Sequence, residues 1–157
     1  MKFDVLIRCD AGNVPQIGTG HLYRSITIAK FLIKKFKLNR NKIIFITKTQ
    51  KKFNLSKKIL NQNNFNFCSI NHNATSKDEF QTLKKFQSKL LIIDKYKTKN
   101  TTYLKKLKKN FDKIIFLDAI KYEHKDALYI NSLLHNVDKK IKNVGFEYLI
   151  CPSFLNK

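Results

Sequence analysis

Val5-Leu6-Ile7-Arg8-Cys9-Asp10-Ala11-Gly12-Asn13, followed by Ile17-Gly18-Thr19-Gly20-His21-Leu22-Tyr23-Arg24, decides how the chain is to be read. The apolar run Val5–Ile7 predicts the first buried strand of an α/β sheet. The loop after it carries Gly12, Gly18 and Gly20, three of the four glycines in the sequence. A helix then opens at His21. Glycine has no side chain and tolerates positive φ, so Gly18 and Gly20 are expected to let a ligand approach the backbone closely. The first turn of a helix has unpaired N–H groups and a partial positive charge, which suits a phosphate or a sugar oxygen. His21 and Arg24 are three apart and share one side of that turn. The stretch predicts a strand-loop-helix site holding a base and a cation.

Working outward, apolar runs alternate with helical spacing. Leu22, Ile26, Ala29, Ile33 and Phe36 recur at the period of one helix over about His21–Phe36. Ile43–Ile46, Leu90–Ile93 and Ile114–Leu117 are unbroken apolar runs, as expected for parallel strands covered on both faces. Phe65–Ile70 predicts a shorter strand nearer a sheet edge, and Ala127–Ile130 another. Helices are expected over Lys51–Asn61, from a Ser76 cap with Glu79 closing a capping box, and over Thr101–Lys109. Val144–Phe154 is expected to be extended or irregular. Alternating strands and helices predict a single Rossmann-like domain: a twisted parallel sheet of about six or seven strands, helices on both faces and right-handed crossovers. Ligands in such sheets bind beyond the carboxyl ends of the strands, where this sequence places Asp10, Thr47, Asp94 and Asp118.

The chain has 157 residues, 43% hydrophobic and 12% aromatic, which describes a folded domain with a proper core. Its formal net charge of +21 ordinarily points to nucleic acid or another anionic partner. Yet Arg8, Arg24 and Arg40 are the only arginines among 32 basic residues. The lysines are accompanied by abundant Asn, Ile and Phe, so compositional drift explains the charge better than selected nucleic-acid binding. Two of the three arginines flank the glycine loop, where bidentate guanidinium chemistry has a use. Cys9, Cys68 and Cys151 are scattered, without metal-ligand spacing, and read as free thiols; no metal or cofactor is expected. No run approaches the ~20 apolar residues of a membrane span and the start carries no secretory pattern, so no membrane partner and a cytoplasmic location are the expectation.

The pattern Arg8-x-Asp10-Ala11 with Ile17-Gly18-Thr19-Gly20-His21-x-x-Arg24 resembles the amino-terminal motif of the UDP-sugar hydrolases of pseudaminic acid biosynthesis and the related spore-coat polysaccharide proteins. Further stretches resemble the same family: Ile93-Asp94-Lys95-Tyr96, the strand ending at Asp118, Asp126–Asn131, and Gly145-x-x-Tyr148 through Phe154. Ala119 departs from it, standing where the family has a second aspartate. The resemblance implies the amino-terminal half of a two-domain, GT-B-like fold whose other half holds most of the nucleotide. It also implies release of UDP from a UDP-linked diacetamido-trideoxy sugar, with His21 as the base that activates water and no metal. A helix amino terminus disfavours added positive charge, so the neutral imidazole is the expected form of that base. Arg8, Asp10, Gly18, Thr19, Gly20, Arg24, Asp94, Tyr96 and Asp118 are the residues expected to hold the sugar. Asp10 has a second reading, holding the glycine loop in shape, and Arg24 has another as a salt bridge, for instance to Asp10. His72, His124 and His135 are expected at the surface. Beside that family a chain of this length reads as a half-length member: a split gene, a truncated one, or a half that works with a partner, which could be a separately encoded carboxyl-terminal half. The alternatives are a GT-B-like glycosyltransferase and a non-catalytic domain that binds sugars or anions.

Overall fold

In the computed structural model, which describes residues 2–13, 15, 17–95, 108–122, 125–132 and 137–150, Val5–Ile7 lies inside a longer strand, β1 (Lys2–Cys9). Parallel strands flank it on both sides, β2 (Ile43–Thr49) and β4 (Gln87–Asp94), with Ile7 in register with Phe45 and Ile92. β3 (Asn66–Asn71) forms one edge of the sheet, as its shorter, more polar sequence predicts. β5 (Phe111–Leu117), β6 (Leu128–Asn131) and the two-residue β7 (Asn143–Val144) extend the other side. All seven strands are parallel, in the order β3-β2-β1-β4-β5-β6-β7. The chain moves outward from β1 to β3 and then crosses back to β4. The direction of winding therefore reverses between β1 and β4, which is where doubly wound sheets open a crevice at their carboxyl ends.

Successive side chains of a strand point to opposite faces, and here each face buries its own core. Val5, Ile7 and Cys9 pack with Leu22, Ile26 and Ala29 of α1 (Gly20–Phe36) and with Ile59 and Leu60 of α2 (Leu55–Gln62). Leu6, Ile44, Leu91 and Ile93 pack on the other face with Leu83 of α3 (Ser76–Leu83) and Phe86 beyond it. The helices thus cover both faces. This is the expected α/β, Rossmann-like architecture.

Three local expectations need correction. Phe36 does not continue the buried stripe of α1: the helix stops there, Lys37 turns left-handed (φ 54°), and Phe36 stands 60% exposed. The helix expected from Lys51 begins as a short 3-10 turn over Lys51–Phe53, because Gln50 and Lys51 have positive φ and α2 can start only after them. The cap of α3 is Thr75 with Asp78, one residue earlier than Ser76 with Glu79. Thr75 is extended and its hydroxyl accepts from the Asp78 amide, while the Asp78 carboxylate accepts from the Thr75 amide at 2.9 Å. Glu79 is thereby free to turn inward. The helix expected over Thr101–Lys109 lies almost wholly outside the described residues.

Candidate active site

The glycine loop is held from below. Gly12 donates its amide to Gly18 O at 2.8 Å, closing the loop on itself. The Ala11 amide donates to Ser56 Oγ at 2.9 Å, and that hydroxyl donates back to Ala11 O, tying the loop to α2. A Cβ on Gly12 would lie 1.9 Å from the Lys52 carbonyl oxygen, so only glycine fits there. Gly18 has φ +51°, the left-handed region that favours glycine. Gly20 meets the third need: a Cβ there would find nothing within 4 Å, so the space beside the start of α1 is open. Thr19 is the N-cap residue, but its side chain makes no capping bond and the first turn has no acidic residue. Neither Thr19 nor an acid of the first turn therefore competes for the amides there.

Helix α1 projects His21 and Arg24 over the carboxyl ends of β4 and β5. Asp94, the last residue of β4, is fully buried and receives donors from four atoms. His21 Nδ1 lies 2.7 Å from its Oδ1. Arg24 grips both oxygens, Nε on Oδ2 at 2.8 Å and Nη2 on Oδ1 at 2.5 Å. Ser25 Oγ adds a 3.3 Å contact. Arg24 Nη1 then reaches across to Asp118, whose carboxylate also accepts from the backbone and hydroxyl of Ser132 at 2.8 and 2.9 Å. Asp118 sits at φ 50°, so the chain turns sharply as it leaves β5 and aims the carboxylate back at Arg24. Burial alone would raise the Asp118 carboxyl, but the hydrogen bonds from Arg24 and Ser132 outweigh it and hold it below the ordinary range. Burial likewise opposes the charge on Arg24, yet its two carboxylate partners keep it firmly protonated.

This geometry assigns the imidazole tautomer. A nitrogen 2.7 Å from a buried carboxylate is a donor, so the proton sits on Nδ1. The 3.3 Å approach of Arg24 Nη2 to the same nitrogen is then a neighbour contact and not a second bond. Nε2 is left as the acceptor, with no hydrogen-bond partner among the described residues, and the side chain is 24% exposed. A partly exposed imidazole with one nitrogen held by a buried acid is able to accept a proton at the other.

Arg8 and Asp10 lie elsewhere. Arg8 points to the α3 face, is completely buried, and holds Asp10 through Nη1–Oδ1 at 2.6 Å and Nη2–Oδ2 at 2.9 Å. Its Nη2 also donates to Glu79 at 3.1 Å, and Glu79 takes Lys95 Nζ at 2.6 Å. Asp10 accepts the Lys48 amide at 2.7 Å. Arg8 therefore has no surface with which to meet a sugar, contrary to the expectation; it fixes Asp10, and Asp10 ties the end of β1 to the backbone of β2 at Lys48. The Asp10–Arg24 pair weighed from sequence is not formed: Arg24 faces Asp94 and Asp118. His72 is also not a simple surface residue, since both ring nitrogens are buried, without a hydrogen-bond partner among the described residues. Tyr96, His124 and His135 lie outside the described residues. Ala119 is buried and its carbonyl accepts from Asn131 Nδ2, so the position of the missing second aspartate is an apolar one here.

Sequence reading missed Ser25, Ser132, Glu79 and Lys95. Ser25 follows Arg24 and is four residues from His21, a small polar residue on a buried stripe, which was a usable signal. Glu79 was hidden because Thr75–Asp78 and Ser76–Glu79 both fit a capping pattern. Among the described residues no group of three or more His, Cys, Asp or Glu is placed to hold a metal ion, and no helix is long and apolar enough to cross a membrane.

Comparison of the chain with protein-family models and with curated proteins finds no match to either. What the structure defines is a class: an α/β protein with a seven-stranded parallel Rossmann-like sheet. Its polar constellation of His21, Arg24, Asp94 and Asp118 gathers where the winding reverses.

Proposed function

We propose that the chain is the sugar-binding, base-carrying half of a UDP-sugar hydrolase of the kind its glycine-histidine motif resembles. The observation that carries this reading is the pairing of His21 Nδ1 with buried Asp94 at 2.7 Å, which leaves Nε2 as the acceptor, without a hydrogen-bond partner among the described residues. Water held there loses a proton to Nε2 as its oxygen attacks the anomeric carbon. The bond from that carbon to the phosphate oxygen breaks, and UDP leaves with the electron pair. Asp94 steadies the imidazolium that forms. A positioned base of this kind contributes roughly 10²–10⁴-fold in rate.

Arg24 supports a division of labour between two halves. Three of its five N–H donors are given to carboxylates, so its charge is already matched by Asp94 and Asp118 and it is a poor cation for a pyrophosphate. The nucleotide then needs further cations, which fits a second, GT-B-like half. Remote nucleotide binding helps to position the reacting bond, so the chain alone is expected to be a weak catalyst.

The test is UDP release from UDP-2,4-diacetamido-2,4,6-trideoxy-β-L-altrose by the purified chain, beside His21→Ala. Release that falls at least 100-fold in the variant supports the reading. Release unaffected by His21→Ala rejects the base. Transfer of the sugar to an added acceptor in preference to water would favour a glycosyltransferase.

A further inference from the structure

Between Ala11 and Lys77 the sequence holds thirteen Lys or Arg residues and no Asp or Glu. That span contains all of α1 and α2, which lie together on one face of the sheet. Asp94 and Asp118 are both taken up by Arg24, one of the thirteen, and Asp10 by Arg8, so these carboxylates do not serve the lysines of the span. A bias toward lysine accounts for the number of lysines. It does not account for the absence of carboxylates, nor for two phenylalanines that face solvent in their midst.

Phe31 and Phe36 are 58% and 60% exposed and pack edge to face, their ring centroids 6.5 Å apart. Exposed lysines surround them at Lys30, Lys34, Lys35 and Lys37. Lys30 and Arg40 converge on Asn63 at the end of α2, which carries the cationic surface from one helix to the next. An apolar pair ringed by point charges on a convex helix end matches a planar, negatively charged interface with an apolar interior. Single-stranded nucleic acid is bound in grooves lined with aromatics, and its phosphates favour arginine; of these five basic residues only Arg40 is one, and Arg40 is turned over the Phe65 ring.

We propose that the carboxyl-terminal end of α1 is a peripheral docking surface for anionic lipid bilayers, with Phe31 and Phe36 entering the headgroup region and the lysines meeting lipid phosphates. At 1.5 Å per residue the patch lies about 15–22 Å along the helix from His21, so a docked molecule keeps its candidate site clear of the membrane. The inference is independent of the proposed hydrolase activity.

Co-sedimentation of the full chain with phosphatidylcholine vesicles, and with the same vesicles containing phosphatidylglycerol, tests it. Binding is expected to the anionic vesicles alone and to weaken with salt. Each lysine near the surface is worth about five-fold in partitioning, so Lys34→Gln with Lys35→Gln should cost about 25-fold. Phe31→Ser with Phe36→Ser should cost about 100-fold while leaving the thermal unfolding midpoint unchanged, since both rings are exposed. Equal binding to neutral vesicles, no binding to anionic ones, or anionic binding indifferent to the phenylalanine changes would overturn the proposal. So would tighter binding to a mixed-sequence RNA than to anionic vesicles at the same ionic strength, which would reassign the face to nucleic acid.

Discussion

Replacing Asp94 by Asn keeps the shape of the side chain and removes its charge, and the structure allows the cost to be worked out. Arg24 donates to both carboxylate oxygens, Nε to Oδ2 and Nη2 to Oδ1. An amide offers one oxygen, so one of these N–H groups would face another N–H. Losing one charge-assisted bond costs about 1.5–3 kcal/mol. Breaking a buried ion pair outright costs about 3–5 kcal/mol. Asp118 remains as a counter-charge for Arg24, so the expected loss lies between these, about 3 kcal/mol. For a domain of this size that corresponds to roughly 6–12 °C in Tm. Urea unfolding followed by circular dichroism should show a lower midpoint at an unchanged slope. The control is Asp4→Asn, which removes an exposed pair with Lys89 at 3.6 Å and should cost under about 0.5 kcal/mol. If Asp94→Asn is no worse than Asp4→Asn, the claim that Asp94 organises the site is refuted. The variant should also lose UDP release by about 10²-fold or more, because the imidazole tautomer is no longer fixed.

Gly12→Ala should destabilise by about 3 kcal/mol, since the new methyl group meets the Lys52 carbonyl, whereas Gly20→Ala should leave stability within about 0.5 kcal/mol and still lower activity by filling the space beside His21. Paired urea titrations and UDP-release assays of the two variants separate a structural glycine from a functional one. Glu79→Gln should cost about 3–5 kcal/mol by leaving Arg8 and Lys95 with one carboxylate between them; a loss below about 1 kcal/mol in chemical denaturation would contradict the network. The Asp118 carboxyl is held below its ordinary value of 3.8 in the folded state. Its stabilisation is therefore present above that pH and lost as the pH falls through the folded value. Thermal midpoints measured between about pH 5 and pH 2 should fall less steeply for Asp118→Asn than for the unaltered chain.

The sheet was legible because parallel strands covered on both faces leave unbroken apolar runs, and Val5–Ile7, Ile43–Ile46 and Leu90–Ile93 are such runs. Their ends were not legible, since strand pairing carries the backbone into polar residues such as Thr49 and Asp94 that no hydropathy pattern marks. His21, Arg24, Asp94 and Asp118 could be gathered from sequence because each follows a strand or opens the first helix. Which acid each arginine takes could not be read. Arg8 and Arg24 are both near Asp10 in sequence, but β1 sends Arg8 to one face while α1 carries Arg24 over the other. Arg24 was weighed for Asp10, but Arg8, two residues from Asp10, takes it, and Arg24 goes to Asp94 and Asp118. Phe36 shows the complementary limit: a residue on the right helical period escapes the core when the helix ends beside it.

The opposed directions of Asp94 and Lys95 bear on how the sheet finds its alignment. The body of β4, Leu90-Leu91-Ile92-Ile93, is apolar on both faces, so sliding it by one residue against β1 would exchange one set of aliphatic side chains for a near-equivalent set at little cost. The polar pair at its end removes that degeneracy. A one-residue slip would turn the carboxylate toward Glu79 and the ammonium toward Arg24, trading two attractions for two like-charge encounters in the interior. A strand that hydrophobicity alone leaves ambiguous is thereby locked to one alignment by the same residue proposed to hold the base.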